Sequence, residues 1–263
     1  MMRALHTAAT GMKAQELNVQ VISNNIANMR TTGYKRQRAE FQDLLYEHVR
    51  RVGTQTSDQG NQLPAGVELG AGVKTVGTPR LMTQGSLVQT GKDYDVAIRG
   101  EGFFQITLPD GRTAYTRDGS FELDSQGRIV TAQGNVLSPG LTIPQNATSV
   151  TVNAQGQVAA TLPGTTTPTV IGQIQLAMFI NKAGLQGIGD NLYLETPSSG
   201  TPQVGNPNQD SFGNLQQGNL EQANVEAVSE ISDLIAAQRA YEMNAKVITA
   251  TDQMLQSTSQ MLR

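Results

Sequence analysis

The chain of 263 residues contains no cysteine and only two histidines, His6 and His48. The absence of cysteine excludes disulfides, thiol chemistry and Cys-ligated metal. Two histidines are also too few for most zinc or iron sites. Charged residues are scarce as well, at 16% of the chain against about 25% in an average globular protein. We therefore expect no metal ion and no other cofactor.

The chain also lacks a basic excess and a long apolar run. Its 19 Lys and Arg face 22 Asp and Glu, whereas a nucleic-acid-binding protein carries an excess of positive charge. The longest apolar run found is Leu176–Ile180, far shorter than the ~20 residues of a membrane span. Residues 1–30 alternate apolar with polar side chains and lack the apolar core of a signal peptide. These patterns predict no nucleic-acid partner, no membrane span and no cleaved signal.

Uncharged polar residues replace the missing charge, and glycine and proline divide the chain. Gln, Asn, Thr and Ser supply 84 residues, all ten prolines lie between Pro64 and Pro207, and 26 of 27 glycines lie between Gly33 and Gly218. Ends without these breakers, around a middle rich in them, are typical of helix, then strands and loops, then helix. The sequence thus predicts an α+β chain, mainly β, with long terminal helices.

The pattern also predicts the domains. Residues 1–33 and 219–263 form a terminal helical core domain, 34–91 a long extended connector, 92–200 an all-β outer domain and 201–218 a return connector. Short strand candidates separated by turn residues follow one another from Val96 onward, and the later ones are Ser149–Val152, Val158–Leu162 and Val170–Ile180. This is the pattern of an all-β domain. By contrast, Glu47 to Gly91 contains eight glycines and no aromatic residue, which favours a loop with a partner or a task.

The N-terminal segment carries apolar residues at alternating spacings of three and four, as in a coiled coil. This N-terminal seam predicts a helix from about Ala4 to Asn28 and consists of Leu5, Ala8, Met12, Gln15, Val19, Ile22, Ile26 and Met29.

The C-terminal segment keeps a seven-residue period. The C-terminal seam consists of Ala227, Leu234, Tyr241, Ile248, Leu255 and Leu262, with a mixed companion line of Ile231, Gln238, Ala245, Asp252 and Ser259. Asn224 and Asn219 are competing N-caps for this helix.

Both terminal segments have further apolar residues away from their seams, so each helix is expected to have more than one neighbour. Residues 1–52 hold 8 basic and 4 acidic side chains, and residues 219–263 hold 3 basic and 6 acidic. The two ends are therefore expected to pair with each other as a coiled-coil core, and then with other copies of the chain. A helical hairpin that only caps the β-domain is the alternative.

No catalytic motif stands out, and we predict that the chain is not an enzyme. Gly100-Glu101-Gly102 lacks the third glycine of a nucleotide-binding fingerprint and is better explained as a tight bend between strands. Asp93 and Asp95 could serve glycoside hydrolysis, but solvated turn residues are the simpler interpretation. Acidic residues interleave with the basic stretch Tyr34–Arg36, which favours a solvated or interface surface.

Three stretches resemble the bacterial flagellar rod and hook axial proteins. They are Ser23–Asn28 with Thr31–Arg36, Asp95–Phe104 with Tyr115–Phe121, and the segment from Asn224 through Gln238–Glu242 and Asn244–Lys246. The signature residues are Asn24, Asn25, Ala27, Asn28, Gly33 and Tyr34, then Gly100, Gly102, Phe103 and Phe104, then Gln238, Arg239 and Tyr241. The stretches occur in the family's order over almost the whole chain.

Within that family, Glu40–Tyr46, Thr54–Gly66 and Gly187–Tyr193 resemble the distal rod branch, and the proximal rod branch with a β-domain is the alternative. The resemblance implies a structural subunit that assembles into a hollow helical shaft and transmits motor torque to the hook. Its implied partners are other copies, proximal rod proteins, the hook protein, the peptidoglycan-layer ring, an outer-membrane ring where one exists, and the type III export apparatus. The implied location is the flagellar basal body, as a periplasm-spanning rod exported without a cleaved signal peptide.

By analogy with the family, the loop from Glu47 to Gly66 is expected to stiffen the rod through contacts between subunits. Two other classes stay open at this point. One is a secreted β-domain that binds or cleaves peptidoglycan with Asp93, Asp95 or Glu101. The other is a trimeric adhesin or phage-tail component, which also joins a coiled coil to a β-domain.

Overall fold

The computed structural model describes residues 2–53, 65–164 and 167–261, which divide into a helical unit and a β unit. The helical unit comprises Met1–Ile26, Gln37–Pro79 and Ala227–Arg263, and the β unit comprises Ala27–Arg36 and Arg80–Glu226. The predicted α+β organisation, with two terminal helices that pair and a mostly β middle, is confirmed. The predicted domain boundaries stay a prediction.

Two helices span the ends of the chain, α1 over Met2–Ala27 and α2 over Ala227–Met261. The first agrees closely with the predicted segment. The second begins after both proposed caps, because Asn219 lies in a strand and the Asn224 side chain accepts a hydrogen bond from the backbone N of Arg36 instead. In the part of the chain that the structure describes, neither helix has the length and apolarity needed to cross a membrane.

A long two-stranded ribbon completes the helical unit. It is built from β1 (Glu40–Asp43), β2 (Tyr46–Arg50), β3 (Val67–Gly70) and β4 (Val73–Gly77), with β1 antiparallel to β4 and β2 antiparallel to β3. Leu44 N donates to Gly72 O at 2.8 Å and Ala71 N donates to Leu45 O at 3.2 Å, so pairing continues between the two halves. The ribbon also contacts α1, since the Arg3 guanidinium lies 2.6 Å from the Glu47 carboxylate.

Residues 34–91 were expected to be an extended connector, and this expectation is wrong for a large part of the segment. The four ribbon strands and β5 (Leu87–Gln89) lie within it. Every residue of β2 and β3 is exposed, so neither strand buries one face, and four or five residues are a short stretch in which to detect a strand from its alternation. Residues 54–64, in the predicted loop, lie outside the described residues.

The β unit contains the remaining strands, in three groups. A large sheet has the order β16-β17-β8-β7-β11-β10-β9, with β15 joined to β7 and to β18, while β12, β13 and β14 form a separate sheet. The third group is a pair of two-stranded ladders, β5–β20 and β6–β19. The bounds are β6 Val96–Arg99, β7 Phe103–Thr107, β8 Thr113–Thr116, β9 Phe121–Leu123, β10 Ile129–Thr131, β11 Val136–Leu137, β12 Ser149–Val152, β13 Gln157–Thr161, β14 Thr169–Gln173, β15 Leu176–Met178, β16 Gln186–Gly189, β17 Leu192–Leu194, β18 Gln203–Gly205, β19 Asn214–Gln217 and β20 Asn219–Glu221.

Most of these strands lie where the turn residues predict them, but Val170–Ile180 is not one strand. It contains β14, which pairs with β13, and β15, which pairs with β7 and β18. The chain therefore changes sheet near Ile174, and a run of apolar residues carries no sign of such a change.

The core of the β unit lies between its sheets. Ile98, Phe104, Ile106, Val158 and Leu176 have no exposed surface, and burying one such side chain contributes about 1.5–3 kcal/mol. A second cluster joins Phe103, Tyr115, Phe179 and Tyr193, in which Tyr115 and Phe179 meet edge to face with centroids 4.7 Å apart.

The two ladders form a stem through which the chain enters and leaves the large sheet. β5 and β6 precede the large sheet in the chain, and β19 and β20 return beside them in antiparallel register. Gly218 N donates to Asp95 O at 2.7 Å and Thr90 N donates to Gly218 O at 2.8 Å, so the ladders are linked to each other.

Candidate assembly surfaces

The N-terminal seam lies largely on the buried side of α1. Ala8 and Ile22 are buried, Leu5, Met12, Val19 and Ile26 are half-buried, and Met29 is exposed beyond the end of the helix. The buried face also includes Ala14, Val21 and Asn25, which were not assigned to the seam. The face that α1 buries within the chain is therefore turned from the seam toward these three residues.

On α2, the seam is more buried than its companion line. Leu234, Ile248 and Leu255 of the seam are half-buried, and Tyr241 of the seam is exposed. Ile231 of the companion line is also exposed. Leu262 lies outside the described residues.

The buried residues of α2 are Glu230, Ala237 and Thr251. Each lies one residue before a predicted companion position. Within its own chain, α2 therefore buries a line of residues that lies one residue before the predicted companion line. An assembly role for the two seams stays a prediction.

A second apolar line on α2 faces solvent. Its members are Met243, Val247, Ala250, Met254 and Met261, all exposed; Met254 has 52% of its surface accessible. Their spacings of four, three, four and seven keep them on one side of a helix. We call this line the outer stripe. On a 3.6-residue helix its direction differs by about 100° from that of Ala237, Ile248 and Thr251, so α2 has apolar residues on two different sides.

A small polar cluster fixes the end of α1. The Asn25 side chain donates to Gln37 O at 2.8 Å and accepts from Gln37 N at 2.9 Å, as a strand neighbour would. It also donates to the Glu230 carboxylate of α2 at 3.1 Å. Asn25 thereby joins both helices to the chain that enters the ribbon.

A buried ionic cluster lies in the β unit. The Lys35 ammonium is 2.6 Å from Glu221 Oε1, and Arg117 Nε is 2.9 Å from Glu221 Oε2. Lys35 and Glu221 are each 1% exposed and Arg117 is 4% exposed. Burial lowers the pKa of the Lys35 ammonium from its usual 10.5, against the opposing effect of Glu221. The expectation that Tyr34–Arg36 forms a solvated or interface surface is wrong for Lys35.

The signature residues divide into buried and exposed sets. Asn25, Gly33, Gly102, Phe103 and Phe104 are buried, Asn28, Tyr34 and Gly100 are half-buried, and Asn24, Ala27, Gln238, Arg239 and Tyr241 are exposed. Gly33 has φ +69°, and a Cβ there would lie 2.6 Å from Asp118 N, which only glycine avoids. Gly100 and Gly102 have positive φ in the bend between β6 and β7, as expected.

Comparison with known proteins matches the same three regions of the chain that carry the signature residues. Three family models match the chain: "Flagella basal body rod protein" over residues 5–35, "Flagellar hook protein FlgE/F/G D1 domain" over 97–160, and "Flagellar basal body rod FlgEFG protein C-terminal" over 216–261.

Full-length relatives share the name flagellar basal-body rod protein FlgG. Those of Caulobacter vibrioides and Agrobacterium fabrum are 55% and 48% identical over 260 and 262 residues, covering 99% and 100% of both chains. That of Buchnera aphidicola from Acyrthosiphon pisum is 46% identical over 261 residues, covering 99% of this chain and all of the relative. The chain belongs to the FlgG family of flagellar basal-body rod proteins.

The acidic residues considered for peptidoglycan chemistry have different environments in this FlgG-family chain. Asp95 is buried and accepts a hydrogen bond from Thr90 Oγ1 at 2.5 Å, whereas Asp93 is exposed. Glu101 is paired with Lys182. Within the described ranges, no group of three or more His, Asp or Glu could hold a metal ion.

One acidic residue lies in a polar cleft of the β unit. Asp118 lines a cavity of about 330 Å³ with Asn28, Ser120 and Asn191 among its neighbours. Its carboxylate accepts from Ser120 N at 3.0 Å and from Ser120 Oγ at 2.7 Å. Burial raises the pKa of Asp118 above its usual 3.8, and the Ser120 hydrogen bonds oppose that change.

Proposed function

We propose that the chain is a structural subunit of the flagellar distal rod, which assembles with copies of itself into a hollow helical shaft that transmits motor torque to the hook. The observation that carries this proposal is identity of 46–55% with rod proteins over the full chain. A structural role also agrees with the environments of the acidic residues, because Asp95 is buried and bonded to Thr90 and Glu101 is paired with Lys182.

The two apolar faces of α2 support assembly through the terminal helices. One face packs within the chain, and the outer stripe remains for a helix of a neighbouring subunit. The spacing of the stripe fits a coiled-coil contact, and burial of each large apolar side chain would contribute about 1.5–3 kcal/mol. Different faces on α1 and α2 suit the heterologous contacts of an open helical polymer.

The ribbon supports a stiffening role for residues 47–66. A two-stranded ribbon is marginally stable on its own in water, and both faces of β2 and β3 are exposed. Contacts of this ribbon with neighbouring subunits would bury its apolar residues Val49 and Leu69. Such contacts would resist bending of the shaft.

The remaining partners follow from the place of such a rod. We infer contacts with proximal rod proteins at one end and the hook protein at the other. We also infer contacts with the envelope ring proteins along the side and passage through the flagellar type III export apparatus without a cleaved signal peptide. The family names of rod and hook proteins support this setting.

The test is complementation of a motile bacterium that lacks its distal rod subunit, with cryo-microscopy of polymerised protein. Restored motility and open hollow filaments are expected. A zymogram on cell-wall material and sedimentation test the other classes, because cleared bands would favour a peptidoglycan enzyme and closed trimers an adhesin. Rescue only of a strain that lacks a proximal rod protein would instead assign the chain to the proximal rod.

A further inference from the structure

Three segments of the β unit adjoin the places where the chain passes into the helical unit. The chain passes between the units after Ile26, Arg36, Pro79 and Glu226. Residues 33–36, 81–85 and 221–224 therefore lie a few residues inside these passages. We call them the three connectors.

Backbone and amide hydrogen bonds join the connectors to one another. Leu81 N donates to Arg36 O at 2.8 Å, and Gly33 N donates to Glu221 O at 2.8 Å. The Asn224 side chain accepts from Arg36 N at 2.7 Å and donates to Leu81 O at 2.7 Å. Each connector is thus bonded to both others within the β unit.

The ionic cluster ties the same connectors to the β-sheet. Lys35 Nζ donates to Thr83 O at 2.8 Å in addition to Glu221, and Gly85 N donates to Glu221 Oε1 at 2.9 Å. Arg117 Nη1 donates to Gly100 O at 2.9 Å and to Gly102 O at 2.7 Å, at the bend between β6 and β7. One carboxylate therefore links all three connectors and, through Arg117, the bend that leads into β7 of the large sheet.

Such a cluster is a costly way to obtain stability alone. Burial removes the ions from water at a large cost in free energy, and replacing them with apolar side chains is often neutral or stabilising. Charge-assisted hydrogen bonds are, however, directional and strong. They fix one arrangement of the connectors more tightly than an apolar contact of the same size would.

We propose that Lys35, Glu221 and Arg117 form a clamp that holds the three connectors in one arrangement, so that force carried along the connectors reaches the large sheet directly. The force-carrying part of this inference rests on the proposed function as a rod subunit. The clamp itself is a property of the single chain.

Hydrogen exchange on the purified full-length chain tests the clamp. Lys35→Met removes the link to Thr83 and keeps the Glu221–Arg117 pair, so the amides of Gly33 and Arg36 should exchange about tenfold faster or more. Amides of β7 should keep their rates. Lys182→Met is the matched control, because it removes the partly exposed pair with Glu101 in the same unit. Unchanged exchange at Gly33 and Arg36, or equal acceleration throughout β7, would overturn the clamp.

A second variant decides the case in which Lys35→Met prevents folding. Asn224→Ala removes the bonds to Arg36 and Leu81 and leaves the ionic cluster intact. Arg36 loses its own acceptor in this variant, so the amide of Gly33 is the one that decides. Faster exchange at Arg36 with unchanged rates at Gly33 and in β7 supports the clamp, because the intact ionic cluster still holds the other bonds. Equal acceleration at Gly33 contradicts it.

Rotation of complemented cells under viscous load tests the force-carrying part. Lys35→Met should assemble rods but lower the rotation speed at high load relative to Lys182→Met. Equal speeds would overturn this part. If the unaltered chain restores no rod at all, the proposed function fails, while the exchange rates still decide the clamp.

Discussion

Gly11 of α1 lies directly against the Asn244 side chain of α2. A methyl group on Gly11 would lie 3.0 Å from Asn244 Nδ2 and 3.2 Å from Asn244 Cγ. The same amide donates to Ala240 O at 3.0 Å, one turn earlier in α2. Glycine within a helix costs about 1 kcal/mol relative to alanine, and the close approach of the two helices accounts for its presence here.

Enlarging Gly11 should therefore weaken helix pairing. Gly11→Val should raise the protein concentration needed for polymerisation, because its branched side chain overlaps the Asn244 amide. Gly11→Ala should polymerise nearly as the unaltered chain does, since the amide can move by a few tenths of an ångström. Adding Asn244→Ala to Gly11→Val should restore much of the loss. Normal polymerisation of Gly11→Val would show that this contact does not control assembly.

Carboxylates on the seams of α1 and α2, or on the outer stripe of α2, should block assembly without unfolding the β unit. Leu255→Asp and Ile26→Asp place a charge on the seams, and Met254→Asp places one on the outer stripe. Losing one buried side chain costs about 1.5–3 kcal/mol at every contact, and an unpaired buried charge costs several more. The thermal transition of the β unit should stay unchanged while sedimentation shows no polymer.

Thr249→Asp is the control for these variants, because Thr249 is an exposed polar residue of α2 away from the outer stripe. It should polymerise normally. Assembly of Met254→Asp at the normal concentration would mean that the outer stripe is not an interface. Loss of monomer folding in Leu255→Asp would favour helices that only cap the β-domain.

Removing the outer half of the ribbon should change the shape of the rod. Residues 46–70 can be replaced by a two-residue Asn-Gly turn, since Leu45 and Ala71 are already hydrogen-bonded. We expect subunits that still assemble but form curved or more compliant rods in electron micrographs. Replacing residues 54–64 with a Gly/Ser chain of equal length keeps β2 and β3 and tests the loop separately. Straight rods of normal stiffness after the larger deletion would refute the stiffening role.

Asp118 should make the β unit less stable as the pH rises. Its pKa is raised in the folded chain, so folding favours its protonated form. That contribution is fully present below the unfolded value of 3.8 and is lost as the pH passes through the raised folded value. Asp118→Asn should therefore gain in melting temperature over the unaltered chain as the pH rises from 3.8 through the raised pKa of folded Asp118.

The control for this titration is Asp110. Backbone and side-chain hydrogen bonds from Arg112 lower the pKa of this exposed carboxyl. Asp110→Asn should therefore show no gain over the same pH range. A melting difference between Asp118→Asn and the unaltered chain that does not change with pH would contradict the titration of Asp118.

The sequence predicts those helices and strands that are marked by a regular local spacing of apolar residues or by turn residues at their ends. The 3,4 spacing near Val19 and Ile22 predicted α1, and turn residues predicted Ser149–Val152 with the bounds observed for β12. The start of α2 was not predictable in this way. Asn219 has the local features of a helix cap but pairs with Gln89, a contact across more than a hundred residues of chain.

The ionic cluster was missed for the same reason. Lys35 and Arg117 lie 186 and 104 residues before Glu221, so no local pattern brings them together. A weak signal existed in β8, where Arg117 follows the buried residues Tyr115 and Thr116. A charge directly after such a strand is a candidate for burial with a distant partner.

The stem makes the segment between its strands replaceable as one piece. A Cβ on Gly100 would lie 3.0 Å from Gly213 Cα, so the segment 100–213 begins and ends at almost the same point. Insertions with adjacent ends are tolerated well in proteins. A larger or different module could therefore replace this segment while the helices and ribbon keep their sequence. The replacement would have to supply a cation in place of Arg117 and an apolar surface for Ile98 and Leu215.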